Sequence, residues 1–339
     1  MAMRLSQPEA GVVNPLVLTG SEIAKTLDVE SCLEAVELAF RLHGTEAATG
    51  PAVLELPGIG GGFHVKAGGL RLDRAYAATK INANFPRNPV ERGLPTIQGI
   101  VVLFDAESGS PLALLDSAEI TSKRTAAATA LAARHLARAE ASVAAIIGCG
   151  RQSRDQLRFL HRVRPIRTVF AIDRDRAAAT RFAADMSAEL GIAVEPAETV
   201  RSAASAEIWI TCTPSAEPVL SRKDVAPGAF VAGVGADNPH KRELAGDLFG
   251  DTTVVVDTLS QCLSMGDLHH AVGEGRLRGE QVHAELGEIL AGRKPGRRHE
   301  EEIAIFDSTG MALQDVAAAA ATYRLAAASG RGRRIPLQG

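Results

Sequence analysis

The sequence has little of what marks several common protein classes. It contains only four cysteines in 339 residues, far apart and never in a C-x-x-C pair. Zinc sites and disulfide frameworks need such pairing, so the cysteines indicate reduced core thiols and no metal is expected. No window approaches the run of about eighteen apolar residues that a membrane span requires, and no apolar stretch follows the basic residue near the N-terminus. These absences favour a cytoplasmic protein.

An excess of charge of one sign is also lacking. The formal net charge is −3 and the pI is near 6.3. Arginines are mixed with acids along the chain, so neither nucleic acid nor a membrane is expected as a partner, and a small soluble ligand is favoured. The length of 339 residues allows two domains, each with its own core.

The first third of the chain predicts a helical segment followed by a sheet. A helical pattern begins at Ser21 and ends near residues 43–44. Short apolar runs then alternate with Gly, Pro and Asp turns, which is typical of an antiparallel or mixed sheet. The predicted strands are residues 52–56, 63–65, 75–81, 97–104 and 112–115.

The remainder predicts a doubly wound parallel sheet, because strands and helices alternate after an alanine-rich helix at 121–138. The predicted strands are 143–147, 168–172, 208–211, 230–234 and 253–256, and the helices are 152–163 and 176–190. The alanine-rich segment 311–328 resumes a helical pattern and is expected to return to the first lobe. We therefore predict an α/β protein with a Rossmann-type domain (123–310) and a discontinuous α+β domain (1–122 and 311–339). Residues 329–339 are expected to form a mobile tail.

A glycine turn at residues 144–153 predicts a bound dinucleotide. The run is an apolar strand, a turn containing Gly148 and Gly150, and a helix start. Asp173 ends the next apolar strand, 25 positions after Gly148. Glycines let the backbone approach a pyrophosphate, the helix N-terminus supplies N–H groups, and the carboxylate can accept ribose hydroxyls. Ser153 replaces the third glycine of the full fingerprint, so an ordinary turn is the alternative.

The residues after the second strand bear on the choice of cofactor. The carboxylate of Asp173 would repel a 2′-phosphate, which favours NAD. Arg174 and Arg176 follow closely and could serve NADP instead. The sequence therefore predicts NAD, with NADP possible.

Five stretches of the chain carry a further pattern in their residues, their order and their spacing. The pattern covers about residues 15–325. The stretches are residues 80–82 with 93–96, 116–128, 146–152, 233–244 and 306–310. In these stretches the chain resembles the ornithine cyclodeaminase and mu-crystallin family, which also includes alanine dehydrogenases and ketimine reductases. The resemblance implies that the discontinuous domain binds substrate and forms a homodimer, and that the other domain binds NAD(P).

The resemblance implies roles for three residues. Lys80 matches a lysine that holds the substrate carboxylate, and Arg124 matches an arginine that reaches both cofactor phosphates and substrate. Asp237 matches the carboxylate used for proton transfer, at the carboxyl end of a predicted strand. The alternatives are a solvated strand lysine, a surface arginine on a helix, and an Asp that forms a turn before Asn238. Mu-crystallin lacks an acid at the position of Asp237, so its presence favours the catalytic branch.

The resemblance also implies further contacts. Thr309 is expected at the substrate. Ser and Thr at such positions could instead serve as helix caps or turns. The expected cofactor contacts are Thr96, Arg124, Gly148, Gly150, Arg151, Gln152, Asp173, Arg174, Thr213, Val231, Gly233, Val234, Lys241 and Ser308.

One departure from the family pattern concerns the substrate carboxylate. Many members carry an arginine on the strand before a Met-Pro pair, but no arginine lies between Arg41 and Arg71 here. Lys66 stands where methionine is usual, and we hypothesise that it supplies the lost positive charge beside Lys80. His64 is a second candidate substrate contact. The alternatives are a solvent-facing lysine and a structural histidine.

The resemblance implies an NAD(P)-dependent oxidoreductase that acts on the C–N bond of a small amino or imino acid, as an imine reductase or an amino acid dehydrogenase. A redox-neutral ornithine cyclodeaminase is one alternative, although loss of the arginine argues against it. A non-catalytic, mu-crystallin-like protein that binds NAD(P) is another.

Overall fold

The computed structural model describes residues 14–43, 45 and 47–337. The chain divides into two compact units, one formed by residues 1–124 with 311–339 and the other by residues 125–310. We refer to these as unit 1 and unit 2. No helix in the described ranges is long and apolar enough to cross a membrane.

Unit 1 is built on a seven-stranded mixed sheet in the order β15-β1-β6-β5-β4-β3-β2. Neighbouring strands are antiparallel except for the parallel pair β1 and β6. The five strands predicted from sequence are all present as β2 to β6, with somewhat longer bounds. The strands are β1 (Leu16–Leu18), β2 (Ala48–Gly58), β3 (Gly61–Arg71), β4 (Ala75–Asn84), β5 (Ile97–Asp105), β6 (Pro111–Asp116) and β15 (Arg333–Arg334).

The ends of unit 1 add detail to the sequence expectations, and one expectation was wrong. The helical pattern from Ser21 forms two helices, α1 (Gly20–Thr26) and α2 (Val29–Leu42), because Asp28 caps the second one by accepting the N–H of Ser31 at 2.7 Å. The tail expected to be mobile contains β15, which pairs antiparallel with β1. The last part of that predicted tail, residues 338–339, lies outside the described residues.

The C-terminal helix α10 (Ala312–Ser329) covers one face of the unit 1 sheet. It is buried from Ala312 to Thr322, and a side chain on Gly68 of β3 would meet Leu313 at 3.2 Å. The alanine-rich segment predicted to return to the first lobe therefore packs on β3 and β4. The remaining helices here are α3 (Asn88–Glu91) and α4 (Ser117–Leu136), which contains the boundary between the units.

Unit 2 is an eight-stranded sheet in which every pair is parallel, in the order β13-β12-β14-β11-β10-β7-β8-β9. The prediction of a doubly wound parallel sheet is thus confirmed. The strands are β7 (Val143–Ile147), β8 (Thr168–Ile172), β9 (Ala193–Ala197), β10 (Ile208–Thr211), β11 (Phe230–Gly233), β12 (Thr253–Val256), β13 (Ala284–Glu285) and β14 (Ala304–Asp307).

The helices of unit 2 follow its strands. The predicted helix at 176–190 has the bounds expected from sequence, and α5 begins one residue earlier than predicted. The strand β14 lies between β11 and β12, although the sequence analysis did not predict it. The helices are α5 (Arg151–Val163), α6 (Arg176–Leu190), α7 (Leu259–Cys262), α8 (Asp267–Gly273) and α9 (Leu286–Leu290).

Candidate active site

The glycine turn of unit 2 leaves room for an anionic group at the start of α5. Gly148 has φ +93°, and a Cβ there would lie 2.7 Å from the carbonyl oxygen of Cys212. Only glycine fits both the backbone conformation and this close approach. At Gly150, the N-cap of α5, nothing lies within 4 Å of a Cβ position, and glycine supplies no side-chain cap. An open helix N-terminus of this kind suits a phosphate group.

Asp173 is fixed at the end of β8 beside this turn. Its Oδ2 accepts the N–H of Cys149 at 2.7 Å, and its Oδ1 accepts the N–H of Asp175 at 2.8 Å. Burial, with a contribution from Asp173, raises the pKa of Cys149 to about 12, so this thiol stays protonated. The half-buried Asp173 carboxylate therefore faces the glycine turn with acceptor capacity left for a hydroxyl donor.

The loop after β11 presents Asp237 to solvent. The Asp237 side chain is 56% exposed, and its Oδ1 lies 2.7 Å from Nζ of Lys241. Asn238 Oδ1 accepts the N–H groups of His240 and Lys241 at 3.0 and 3.2 Å, which shapes the turn. An accessible carboxylate paired with an ammonium group is thus brought to the carboxyl end of the parallel sheet.

A buried acid that the sequence analysis missed, Glu243, ties this loop to two strand ends. Its carboxylate accepts the N–H of Thr213 at 2.5 Å, the N–H of Gly235 at 2.6 Å and the hydroxyl of Thr211 at 2.8 Å. Burial raises the pKa of Glu243, against the opposing effect of these hydrogen bonds. Glu243 therefore fixes the base of the Asp237 loop beside Thr213.

Two more buried acids continue from Glu243, because Asp267 lies next to Glu243 and Asp307 lies next to Asp267. Asp267 Oδ1 accepts the N–H groups of Glu243 and Leu244 at 2.7 and 2.8 Å, and Asp307 accepts the N–H groups of Asp267 and Leu268. Burial, reinforced by the charge of Glu243, raises the pKa of Asp267 to about 7. Burial also raises the pKa of Asp307 well above its usual value. Across the described ranges, no group of three or more His, Cys, Asp or Glu side chains is arranged to hold a metal ion.

Ser308 and Thr309 are both buried in a network around Asp257. The hydroxyl of Thr309 donates to Asp257 Oδ1 at 3.0 Å, and the hydroxyl of Ser308 donates to Oδ2 at 3.4 Å. The N–H of Gly310 also donates to Asp257 Oδ2, at 2.6 Å. These bonds fix the segment that follows β14. Both hydroxyls are thus held in this network inside unit 2, and their predicted ligand contacts stay predictions.

The other residues predicted to contact the cofactor differ in exposure. Val231 has no exposed surface and packs in the hydrophobic core, so its side chain supports β11. Val234 is also buried. A side chain on Gly233 would lie 2.8 Å from Asp267 Oδ2, so this strand end requires glycine. Exposed or half-exposed side chains are found at Arg151, Gln152, Arg174 and Lys241.

Unit 1 contains a buried cluster of opposite charges. Lys80 on β4 is 3% exposed, and its Nζ lies 2.7 Å from Oδ2 of Asp315 on α10. Arg124 on α4 places Nε 3.0 Å from Oδ1 of the same carboxylate, and its Nη1 donates to Oε1 of Gln314 at 3.0 Å. The lysine is therefore a buried, paired group, and the solvated strand lysine considered from sequence is wrong. Arg124 is buried as well, at 5% exposed.

Lys66 lies opposite Lys80 in the register of β3 and β4. Directly opposite residues share a face of the sheet, so the side chains of Lys66 and Lys80 lie on the same face. The positive charges of Lys66 and Arg124 both act on Lys80. Burial lowers the pKa of Lys80 to about 7, the charge of Asp315 opposes this effect, and Arg124 and Lys66 add to it. Asp315 was not predicted from the sequence, although a lone acid in an alanine-rich helix was a usable signal.

Two other predicted contacts also lie in unit 1. His64 is opposite Asn82 in the sheet register, and its Nδ1 lies 3.3 Å from Oε1 of Glu55. This pair favours the structural alternative for His64. Thr96, which precedes β5, is half-buried, and its carbonyl accepts the N–H of Phe85 at 2.9 Å.

A parallel α/β unit with an open glycine turn, joined in one chain to a unit with a buried Lys-Arg cluster, defines a dinucleotide-binding class of protein. The sequence model of the ornithine cyclodeaminase/mu-crystallin family matches residues 13–330. The chain belongs to this family.

Solved structures of similar proteins agree with this membership. An archaeal alanine dehydrogenase dimer with bound NAD is 37% identical, with a TM-score of 0.90, and the match covers 96% of this chain and 100% of that one. Thermococcus litoralis Δ1-pyrroline-2-carboxylate reductase, in complex with NADH and L-proline, is 31% identical, with a TM-score of 0.88 and coverage of 94% and 100%. Paracoccus denitrificans iminosuccinate reductase, in complex with NAD+, is 32% identical, with a TM-score of 0.85 and coverage of 95% and 99%.

Proposed function

We propose that this protein is an NAD-dependent oxidoreductase that acts on the C–N bond of a small amino or imino acid. The observation that carries the proposal is the combination of three parts in one chain. These are the open glycine turn beside Asp173, the accessible Asp237 carboxylate, and the buried Lys80 and Arg124 cations. The three similar structures, two named reductases and one named dehydrogenase, were all solved with NAD or NADH and support the same conclusion.

Unit 2 is proposed to hold the cofactor. Gly148 and Gly150 permit close approach of a pyrophosphate, and the α5 N-terminus favours its negative charge. Asp173 is positioned to accept ribose hydroxyl groups and to repel a 2′-phosphate, so NAD is preferred over NADP. When bound, the nicotinamide supplies hydride transfer to or from the substrate carbon.

Unit 1 is proposed to bind the substrate carboxylate. Lys80 and Arg124 provide charge-assisted hydrogen bonds, and Lys66 adds positive charge on the same sheet face. Binding at fixed cations orients the α-carbon for hydride transfer. Asp237 of unit 2 moves a proton to or from the substrate nitrogen, or from the water that adds to the imine.

We also propose that the protein is a homodimer in the cytoplasm. One face of the unit 1 sheet exposes apolar side chains, and a similar structure is a dimer. All four cysteines are free, which accords with a reducing compartment.

A substrate panel tests the function. NADH and NADPH are supplied in parallel with pyruvate plus ammonia, Δ1-pyrroline-2-carboxylate, or oxaloacetate plus ammonia, and loss of the reduced-nicotinamide absorbance is followed. We expect turnover of at least one imino acid, with NADH preferred. Ornithine with NAD+ is assayed for proline and ammonia, because a redox-neutral cyclisation leaves the absorbance unchanged. Tight cofactor binding without any turnover would instead identify a non-catalytic binding protein.

A further inference from the structure

The carboxylate of Asp315 joins the two cations assigned above to substrate binding. It lies 2.7 Å from Lys80 Nζ through one oxygen and 3.0 Å from Arg124 Nε through the other. The preceding residue, Gln314, accepts the Nη1 proton of Arg124 at 3.0 Å. One turn of α10 therefore sets the position of both cationic side chains, which come from β4 and α4.

The surroundings of Asp315 make its charge unusual. The flanking α10 residues are buried and mostly alanine, and Asp315 is only 3% exposed. Burial acts to raise its pKa, but the charges of Lys80 and Arg124 outweigh burial and hold the pKa of Asp315 below its usual value. The carboxylate therefore stays ionised, and it is compensated by Lys80 and Arg124 with a smaller contribution from Lys66.

The charged groups that face Lys80 come from three elements. Asp315 on α10 favours the ammonium form, whereas Arg124 on α4 and Lys66 on β3 disfavour it. Thr121, also on α4, accepts a hydrogen bond from Lys80 Nζ at 3.4 Å. Without the carboxylate, the buried cations Lys80 and Arg124 would lose the negative charge that they share, with the half-buried Lys66 adding positive charge beside Lys80.

We propose that Asp315 is a positioning residue, which holds Lys80 and Arg124 in the geometry that binds the substrate carboxylate and favours the ammonium form of Lys80. This inference rests on the proposed function, because that function makes Lys80 and Arg124 the carboxylate site. The expected consequence is a carboxylate affinity that decreases as pH rises through the titration of Lys80.

Two substitutions move this titration in opposite directions. Asp315→Asn removes the negative charge with almost no change in shape, so the midpoint of the pH dependence should move about one unit or more towards lower pH. Gln314→Glu keeps the acceptor for Arg124 and adds a negative charge, so the midpoint should move towards higher pH. The pH midpoint decides the test, rather than the affinity itself. Asp315 competes with the ligand carboxylate for Lys80 and Arg124, so removing it also changes the affinity directly.

The experiment measures binding of pyrrole-2-carboxylate by calorimetry over a pH series, with the full-length protein saturated with NAD+. This probe is a planar carboxylate without a reducible imine, so binding is read independently of turnover. Asp73→Asn is the matched control. Asp73 forms an exposed ion pair with Arg324, which lies on α10 like Asp315, at 2.9 Å. The control should keep the wild-type midpoint.

The outcomes separate this inference from the proposed function. Opposite shifts in the two variants support the role of Asp315. A wild-type midpoint in either soluble variant overturns it, even if Asp315→Asn fails to fold and only Gln314→Glu is measured. Absence of carboxylate binding by the wild type also overturns it. Opposite shifts without turnover on the substrate panel would reject the proposed oxidoreductase and retain Asp315 as the organiser of a carboxylate site.

Discussion

Three acidic residues of this protein differ in what surrounds them, and this difference separates their roles. Asp237 is exposed and ion-paired with Lys241, which accords with the proton transfer proposed for it. Asp315 is buried between two cations and stays ionised. Asp267 is buried next to other acids, which raises its pKa to about 7. Identical side chains thus take different roles according to burial and neighbouring charge.

The first prediction concerns Asp237. Asp237→Asn removes the proton-transferring group and keeps its size, so kcat should decrease by about 10²-fold or more. Binding of NADH, measured by fluorescence titration, should stay within experimental error, because the glycine turn is untouched. Asp251→Asn, a change at another exposed acid of unit 2, serves as the control. A kcat close to that of the wild type would remove Asp237 from the mechanism.

The second prediction concerns Lys66. Lys66→Met restores the residue usual in the family and removes one positive charge beside Lys80, so KM for the substrate should increase about tenfold while kcat changes less. Steady-state kinetics on the best substrate of the panel measure both constants. The control is Lys25→Met on an exposed position of α1. An unchanged KM would show that Lys66 takes no part in carboxylate binding.

Single residues could be predicted from the sequence where a local pattern marks them. Gly148 and Gly150 follow a strand and precede a helix, and Asp237 follows a Gly-x-Gly turn. Asp315 is marked only as a lone acid in an alanine-rich helix, and this mark does not reveal its partners, because they are separated from it by 191 residues or more along the chain. Val231 has its side chain in the core, and its predicted contact with the cofactor stays a prediction.

At the scale of elements, the loop that carries Asp237 is held between a strand and a short helix. Glu243 binds the N–H groups of Thr213 and Gly235 at the strand ends, and Asp267 at the start of α8 binds the N–H groups of Glu243 and Leu244. Both acids accept hydrogen bonds from backbone N–H groups that would otherwise have no partner in a buried region. The loop is therefore anchored at its base while Asp237 stays accessible.

The third prediction follows from the raised pKa of Asp267. The folded value of about 7 exceeds the ordinary 3.8, so the folded state binds more protons than the unfolded state between these values. This contribution to stability is therefore lost as pH rises through that window. Asp267→Asn keeps the Oδ1 acceptor and replaces Oδ2, which has no hydrogen-bond partner among the described residues. We expect thermal melts of the variant to show a smaller loss of Tm between about pH 5 and pH 8.

The control for this experiment is again Asp251→Asn, which should keep the wild-type pH dependence. Glu243 and Asp307 also have raised pKa values and stay in place, so the variant should retain part of the slope. A slope equal to that of the wild type would show that Asp267 does not titrate in this window.

Elements with a clear hydrophobic pattern were predicted well, and pattern-poor ones were missed. The predicted strands 143–147, 168–172, 208–211 and 253–256 have the observed bounds. The strands β1, β13 and β15 are only two or three residues long and form through pairing with distant partners. The central strand β14 was missed because its three apolar residues lead directly into a polar motif that begins with Asp307.

At the scale of the whole molecule, unit 1 exposes one apolar sheet face. The sheet register places Leu54, Val65, Ile81 and Ile100 in one row across β2 to β5. Leu54, Ile81 and Ile100 are 54%, 37% and 46% exposed. The opposite face packs against α10. An exposed apolar face of this kind supports the proposed homodimer.

The fourth prediction tests that homodimer. Ile81→Glu places a charge in the centre of the row, so sedimentation or size-exclusion measurements should show a shift from dimer to monomer. Leu38→Glu is the matched control, because Leu38 is 41% exposed on α2, outside this face. A wild-type that is already monomeric, or an Ile81→Glu variant that stays dimeric, would exclude this face as the interface.

The sequence by itself determined the parallel α/β architecture and the glycine turn at Gly148, because these depend on short-range patterns, namely residue periodicity, turn chemistry and motif spacing. The candidate roles of Lys80, Arg124 and Asp237 were implied by the resemblance to the family. Only the tertiary structure decided that Lys80 is buried and paired with Asp315, that Glu243 anchors the Asp237 loop, and that residues 333–334 form a strand. Burial and pairing between residues far apart in the chain depend on how elements pack, which no local pattern specifies.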